Sequence, residues 1–172
     1  MNSRSSQTSD DAQPVLRRAR NADGKAVRDL VFSILEEYGL PTDPDGIDAD
    51  LWDIEANYDA VGGVFFVVQA ADGRIIGSVA IAPMPDGGCE LRKMYLARSH
   101  RGRRLGKLLL ETAITQARRM NAARITLETA AVLKEAIGLY RSYGFKPFDA
   151  PHLCFRCDQA YALDLVRRQT GP

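Results

Sequence analysis

Arg101 to Gly106, RGRRLG, is the segment of this chain whose residue types and spacing best suit the holding of an anion. It joins a strand-like run, ELRKMYL (Glu90 to Leu96), to a helix-like run, LGKLLLETAITQARR (Leu105 to Arg119). A glycine turn that opens a helix leaves backbone N–H groups without intrahelical partners. The positive end of the helix dipole points the same way. Glycine at 102 and 106 lets the backbone approach a ligand that a side chain would hold off. Arg101, Arg103, Arg104 and Lys107 add positive charge, so a diphosphate is the guest this pattern suits.

The elements that must position this loop read off as alternating patterns. Val15 to Ala19 is a short strand. Asp23 is a candidate N-cap for a helix to about Tyr38, with Val27, Leu30, Val31, Ile34 and Leu35 on one face. LPTDPDG (Leu40 to Gly46) is a turn-rich loop, and a second amphipathic helix is expected from Ile47 to about Asn57. Val64 to Ala71 is a continuous apolar run of β-branched and aromatic residues, a buried strand. Ala71-Asp72-Gly73-Arg74 is a hairpin turn, Ile75 to Ala82 the returning strand, and Cys89 to Leu96 the third strand of a meander. Beyond the loop and its helix come a strand (Ala123 to Glu128), a helix (Val132 to Tyr143), a short strand (Gly144 to Pro147) and a last strand (Asp158 to Val166). This order predicts an α/β domain built on a mixed sheet.

Bulk properties narrow the function classes. A chain of 172 residues fits one domain with a real core. A net charge of +1 argues against wholesale attraction to nucleic acid or membrane, and few aromatics interleave with the arginines. The charge is uneven, however. Arg92 to Lys107 holds seven Lys or Arg and no acid, whereas Asp43 to Asp59 holds seven Asp or Glu and no Lys or Arg. The second stretch suits a cationic or amine-bearing molecule. No apolar run reaches the roughly 20 residues of a membrane span. MNSRSSQTSDDAQ has no apolar core, is not a secretory signal and reads as a disordered tail. The expected organisation is a tail over 1–14 and a single domain over 15–172, in the cytoplasm. Three cysteines form no framework. Cys154 and Cys157 make one C-x-x-C without a second pair, which argues against zinc and for reduced packing cysteines.

Three blocks together resemble the GNAT superfamily of N-acetyltransferases. ELRKMYL is similar to the family's fourth strand, RGRRLG to its acetyl-CoA pyrophosphate loop, and KEAIGLYRSYGF (Lys134 to Phe145) to its Leu-Tyr…Gly-Phe block. The resemblance covers about Val64 to Val166. It implies a central, mostly antiparallel sheet with helices on both faces and acetyl-CoA as co-substrate, with no metal. Two positions depart from the pattern: Arg104 stands where the family has Gly, and Leu133 where it often has Asn. Arg104 either crowds the phosphates or clasps one.

Acetyl transfer to an amine requires that the thioester be held, its carbonyl polarised, the ammonium deprotonated and the leaving thiolate protonated. The resemblance implies direct attack and supplies a candidate for each task. Arg101, Gly102, Arg103, Arg104, Leu105, Gly106 and Lys107 grip the diphosphate. Met94, Tyr95 and Leu96 form a splayed strand edge for the pantetheine arm, with an N–H near Tyr95 or Leu96 on the carbonyl. Tyr140 is the general acid, and Tyr143 is its near neighbour without that role. Glu90 is the candidate base, acting through water, with Glu128 in reserve. His100 reads as a turn residue, His152 as a surface residue with the lining of the acceptor site as its alternative, and Trp52 as an amphipathic anchor on a helix that would roof the acceptor pocket. The acceptor is then a small-molecule amine, and a non-catalytic acyl-CoA-binding module is the alternative. The last strand, if exposed, offers an edge for a homodimer.

Overall fold

A computed structural model describes residues 13–165. Most of the expected N-terminal tail, and the end of the last strand at Val166, lie outside the described residues. In chain order the elements are β1 (Val15–Arg18), α1 (Gly24–Glu37), α2 (Ile54–Asn57), β2 (Val64–Gln69), β3 (Ile75–Pro83), β4 (Cys89–Leu96), α3 (Leu105–Arg119), β5 (Arg124–Thr129), α4 (Lys134–Ser142), β6 (Lys146–Pro147) and β7 (Gln159–Asp164). They build one seven-stranded sheet in the order β1-β2-β3-β4-β5-β7-β6. Every neighbouring pair is antiparallel except β4 with β5. The mixed, mostly antiparallel sheet is thus as expected.

Period-two alternation explains the layers. Along β2, Val64 and Val68 turn to one core cluster while Phe65 and Val67 turn to the other. The first cluster takes the apolar stripes of α3 (Leu105, Leu109, Leu110, Ala113) and α4 (Ile137, Tyr140). The second takes the stripe of α1 (Val27, Val31, Leu35) together with Leu51, Ile54 and Tyr58. A strand covered on both faces must be apolar throughout, which is why Val64 to Val68 reads as an unbroken hydrophobic run.

The feature that positions the site is a divergence. β4 and β5 pair only at Cys89↔Ile125 and Glu90↔Thr126, although β4 runs on to Leu96 and β5 to Thr129. A β-bulge turns β4 away. Ser78 pairs with Tyr95 and Ala80 with Arg92, so Val79 alone opposes Lys93 and Met94. Lys93 adopts a left-handed φ of 51°, and the buried Ser78 hydroxyl donates to its carbonyl at 2.7 Å. Its ammonium is sunk between segments distant in sequence. It donates to Asp48 Oδ1 at 2.6 Å and to the Ile47 carbonyl at 2.7 Å. Arg156 clasps the same carboxylate with two N–H···O bonds of 2.7 Å, and Asp48 is fully buried.

That clasp accounts for a difference from the expected second helix. Residues 43–58 form turns, a 3₁₀ turn (Ala49–Leu51) and the single-turn α2, whose N-cap Asp53 accepts from the Ala56 N–H at 3.0 Å. Asp48 and Asp50 both approach Lys93, at 2.6 and 3.1 Å. On a continuous helix these positions would point about 200° apart. The end of α1 also differs. Asp23 precedes Gly24 as expected, but its carboxylate accepts from Arg17 at 2.8 and 2.7 Å and from the Arg20 N–H at 2.8 Å, so it closes a preceding turn and leaves α1 uncapped by a side chain. β7, expected to be exposed, lies between β5 and β6. The two-residue β6 pairs with Ala162 and Tyr161, so β7 is not the outermost strand of the sheet.

Asp48→Asn is expected to destabilise the fold by about 3–5 kcal/mol in denaturant unfolding, because it strips charge from two buried cations. Burial pushes the Asp48 carboxyl up, but hydrogen bonds from Arg156 and Lys93 outweigh it and hold the group well below its ordinary value of 3.8. A depressed value stabilises fully above the unfolded-state value and is lost as pH falls below it. Unfolding free energy should therefore drop below about pH 4 in the wild type, and less steeply in Asp48→Asn.

Candidate functional site

A cavity of about 950 Å³ fills the wedge between β4 and β5. Met94, Tyr95 and Leu96 line it from β4, and Glu128 and Thr129 from β5. Beyond Glu90 the β5-facing edge of β4 has no strand partner, so its backbone groups face the cavity. Tyr95 packs toward the α1 side of the sheet and Met94 and Leu96 toward the α3 side, as strand alternation requires.

At one end of the wedge the loop from Arg98 turns into α3. Gly102 (φ 78°) and Arg104 (φ 63°) both adopt left-handed conformations, and Leu105 begins the helix. Arg104 therefore keeps the backbone shape a glycine would take, with its own side chain exposed. Among the described residues, the N–H groups of residues 102–107 donate to no protein acceptor. Arg101, Gly102, Arg104, Gly106 and Lys107 line the cavity, whereas Arg103 is exposed outside it and Leu105 is buried in the core beneath. The guanidinium of Arg101, expected to help grip the diphosphate, is engaged by protein groups. It holds Glu37 at 2.7 and 2.9 Å, the Tyr38 hydroxyl at 3.1 Å and the Leu96 carbonyl at 3.1 Å, so it ties the loop to α1 and to the end of β4. Its hydrogen bonds hold the Glu37 carboxyl below its ordinary range.

Tyr140 rises from α4 into the cavity wall, 4% exposed, with its ring 5.8 Å from that of Phe145. Burial first, and then the nearby Tyr95, pushes its phenol well above the ordinary value, so it carries its proton at neutral pH. Tyr143 points elsewhere and donates to Glu111 on α3 at 2.7 Å. Leu133 lines the cavity at the start of α4 and gives no side-chain cap.

Glu90 and Glu128 reach the same cavity from adjacent strands. Glu90 accepts from Arg92 Nε at 2.6 Å. Glu128 Oε2 accepts from the Cys154 N–H at 2.8 Å. His152 also lines the cavity, while His100 contacts Ser99 Oγ at 2.9 Å in the turn before the loop. Trp52 lies outside it, exposed, with Arg28 stacked 3.8 Å over its ring.

Sequence reasoning touched the third wall, the loop between β6 and β7, only at His152. Leu153, Cys154, Arg156 and Cys157 line the cavity there. A further signal was Arg156, a cation that meets the acidic stretch at Asp48. The same loop corrects the reading of its cysteines as reduced: Cys154 and Cys157 are joined in a disulfide. A turn in which the Cys157 N–H donates to the Cys154 carbonyl at 2.8 Å sets their Cα atoms 5.2 Å apart, within the range a disulfide requires. Cys89 is a free, buried thiol that burial pushes up to about 12.

Residues 29–145 match the family model for the acetyltransferase (GNAT) family. The chain is 38% identical over 141 residues to the uncharacterised N-acetyltransferase YjgM of Escherichia coli K12, covering 79% of this chain and 84% of that protein. Its fold is similar to that of a GNAT-family acetyltransferase from Staphylococcus aureus Mu50, with a TM-score of 0.84 at 22% identity over 90% of this chain and 100% of that one. It is also similar to yncA of Salmonella typhimurium, solved with its cofactor acetyl-CoA, with a TM-score of 0.71 at 20% identity over 94% and 99% of the two chains.

Arg104→Gly should raise stability by up to about 1 kcal/mol, since it relieves a left-handed L-residue at some cost in unfolded-chain entropy. Arg104→Ala keeps the strain and should give no such gain. Urea unfolding of the two variants beside the wild type checks this.

Proposed function

The chain belongs to the GNAT acetyltransferase family and is an acyltransferase, and on that premise we propose that it moves an acetyl group from acetyl-CoA to the primary amine of a small-molecule or amino-acid-like acceptor by direct attack. The observation that carries this reading is the wedge itself. The unpartnered edge of β4, the free N–H groups that open α3 and the buried phenol of Tyr140 converge on one cavity.

On this reading the diphosphate lies on the N–H groups of residues 102–107, where the helix dipole also favours negative charge. Arg104 and Lys107 act there as exposed cations, Arg103 adds charge from outside the cavity, and Arg101 braces the loop. The pantetheine arm runs along Met94 to Leu96, and a β4 N–H near Tyr95 or Leu96 polarises the thioester carbonyl. The acceptor nitrogen attacks that carbon, and its proton passes to Glu90 or Glu128, directly or through water. Collapse of the tetrahedral intermediate breaks the carbon–sulfur bond, and the thiolate takes the proton of Tyr140.

An amine acceptor fits the charges around the cavity. Asp48 and Asp50 together balance Lys93 and Arg156, and Glu90 pairs with Arg92, which leaves Glu128 on the cavity wall without a salt bridge among the described residues. The reaction is set in the cytoplasm on this reading, and no helix among the described residues is long and apolar enough to cross a membrane.

Tyr140→Phe is expected to lower kcat about 100-fold or more for amine acetylation while the acetyl-CoA Kd, read by calorimetry, stays within threefold. Tight acetyl-CoA binding with no turnover over a broad amine panel, and no effect of Tyr140→Phe, would instead mark a non-catalytic acyl-CoA-binding module, the reading that Leu133 favours.

A further inference from the structure

The mouth of the cavity carries a donor cluster that acetyl transfer does not employ as a unit. The Sγ atoms of Cys154 and Cys157 and a carboxylate oxygen of Glu128 all lie within 4.8 Å of one another, and all three residues are partly buried. The C-x-x-C pair alone offers two ligands. The third comes from β5, far back in the sequence, which is why spacing argued against a metal.

The cluster does not depend on the disulfide for its shape. The Cys157 N–H bonds to the Cys154 carbonyl at 2.8 Å, and the Cys154 N–H to Glu128 at 2.8 Å. Arg156, between the two cysteines, is anchored on buried Asp48 at 2.7 Å. Asp158 just beyond them accepts from the Ala131 N–H at 2.7 Å and donates its own N–H to the Thr129 carbonyl at 3.1 Å. Breaking the S–S bond therefore leaves both sulfurs facing the carboxylate. Two thiolates and one carboxylate suit zinc, which accepts three protein ligands with a fourth position left to solvent or another donor. His152, two residues before Cys154, also lines the cavity.

We infer that the reduced chain holds one zinc-like divalent cation on Cys154, Cys157 and Glu128, and that the disulfide excludes it. A phosphine reductant supplies the two electrons. Phosphorus becomes phosphine oxide with oxygen from water, the S–S bond breaks and each sulfur gains a proton. The cation then displaces both thiol protons to solvent as two metal–sulfur bonds and one metal–oxygen bond form. The donor geometry carries this whatever the acceptor amine is.

The test uses the full chain, one sample reduced with a phosphine and one oxidised, each titrated anaerobically with Co²⁺ and then Zn²⁺. The reduced chain should take up one equivalent of Co²⁺ with thiolate-to-cobalt charge-transfer and tetrahedral visible bands that Zn²⁺ bleaches, and the oxidised chain should show neither. Outer partners of a metal site alone are worth about 10- to 100-fold in affinity, so Cys154→Ser and Glu128→Gln should each weaken binding at least tenfold. Circular dichroism verifies that the variants fold. No stoichiometric cobalt on the reduced chain, equal uptake by the oxidised chain, or undiminished uptake by folded Cys154→Ser overturns the assignment.

Discussion

Asp48, buried and held by Lys93 and Arg156, is the interaction on which the acceptor half of the molecule depends. Three segments with no local reason to meet are joined on one carboxylate: the turns of residues 43–58, the bulge of β4 and the loop between β6 and β7. Taking these charges out of water is expensive, and the carboxylate is stable there only because it collects hydrogen bonds from both cations and from the Asp43 N–H at 3.0 Å. Removing any one partner strands the others, so the three segments form a unit. A left-handed L-residue costs about 1–2 kcal/mol. Lys93 bears that strain because its ammonium is fixed below the sheet and Ser78 holds its carbonyl.

The function follows from what that strain does to the sheet. With β4 bent at Lys93, it leaves β5 after two paired positions and a wedge opens in the middle of an otherwise continuous sheet. Arg101 fixes the far end of the wedge by tying the loop before α3 to Glu37 and to the last carbonyl of β4. The cavity is thus braced by a buried ion cluster at the acceptor end and a half-exposed arginine clamp at the loop end. Tyr140 sits between them in the α4 wall.

Legibility in the sequence followed the range of the interactions. The turn at RGRRLG, the start of α3 and the meander of β2, β3 and β4 were readable because periodicity and turn chemistry are local. The family resemblance implied the splay of β4, but no local feature of ELRKMYL announces that Lys93 turns left-handed to reach Asp48. Taken as sequence, the acidic run suits a cationic partner. Asp48 instead meets the chain's own Lys93 and Arg156, and the expected helix gives way so that Asp48 and Asp50 can both approach one ammonium. β6 is too short to show a period, and so β7 looked like an edge. Arg101 looked like a phosphate ligand because Glu37 and Tyr38 lie far back in the chain. The pairing of Glu128 with Cys154 is likewise visible only in three dimensions.

The central claim is that the wedge opened at Lys93 receives acetyl-CoA with its sulfur at Tyr140. A crystal structure of the chain with acetyl-CoA tests it most directly. The account predicts diphosphate oxygens about 3 Å from N–H groups of residues 102–107, the pantetheine arm along Met94 to Leu96, and the sulfur within about 3.5 Å of the Tyr140 hydroxyl. Acetyl-CoA bound outside the wedge, or with its thioester away from Tyr140 and facing solvent, would contradict it.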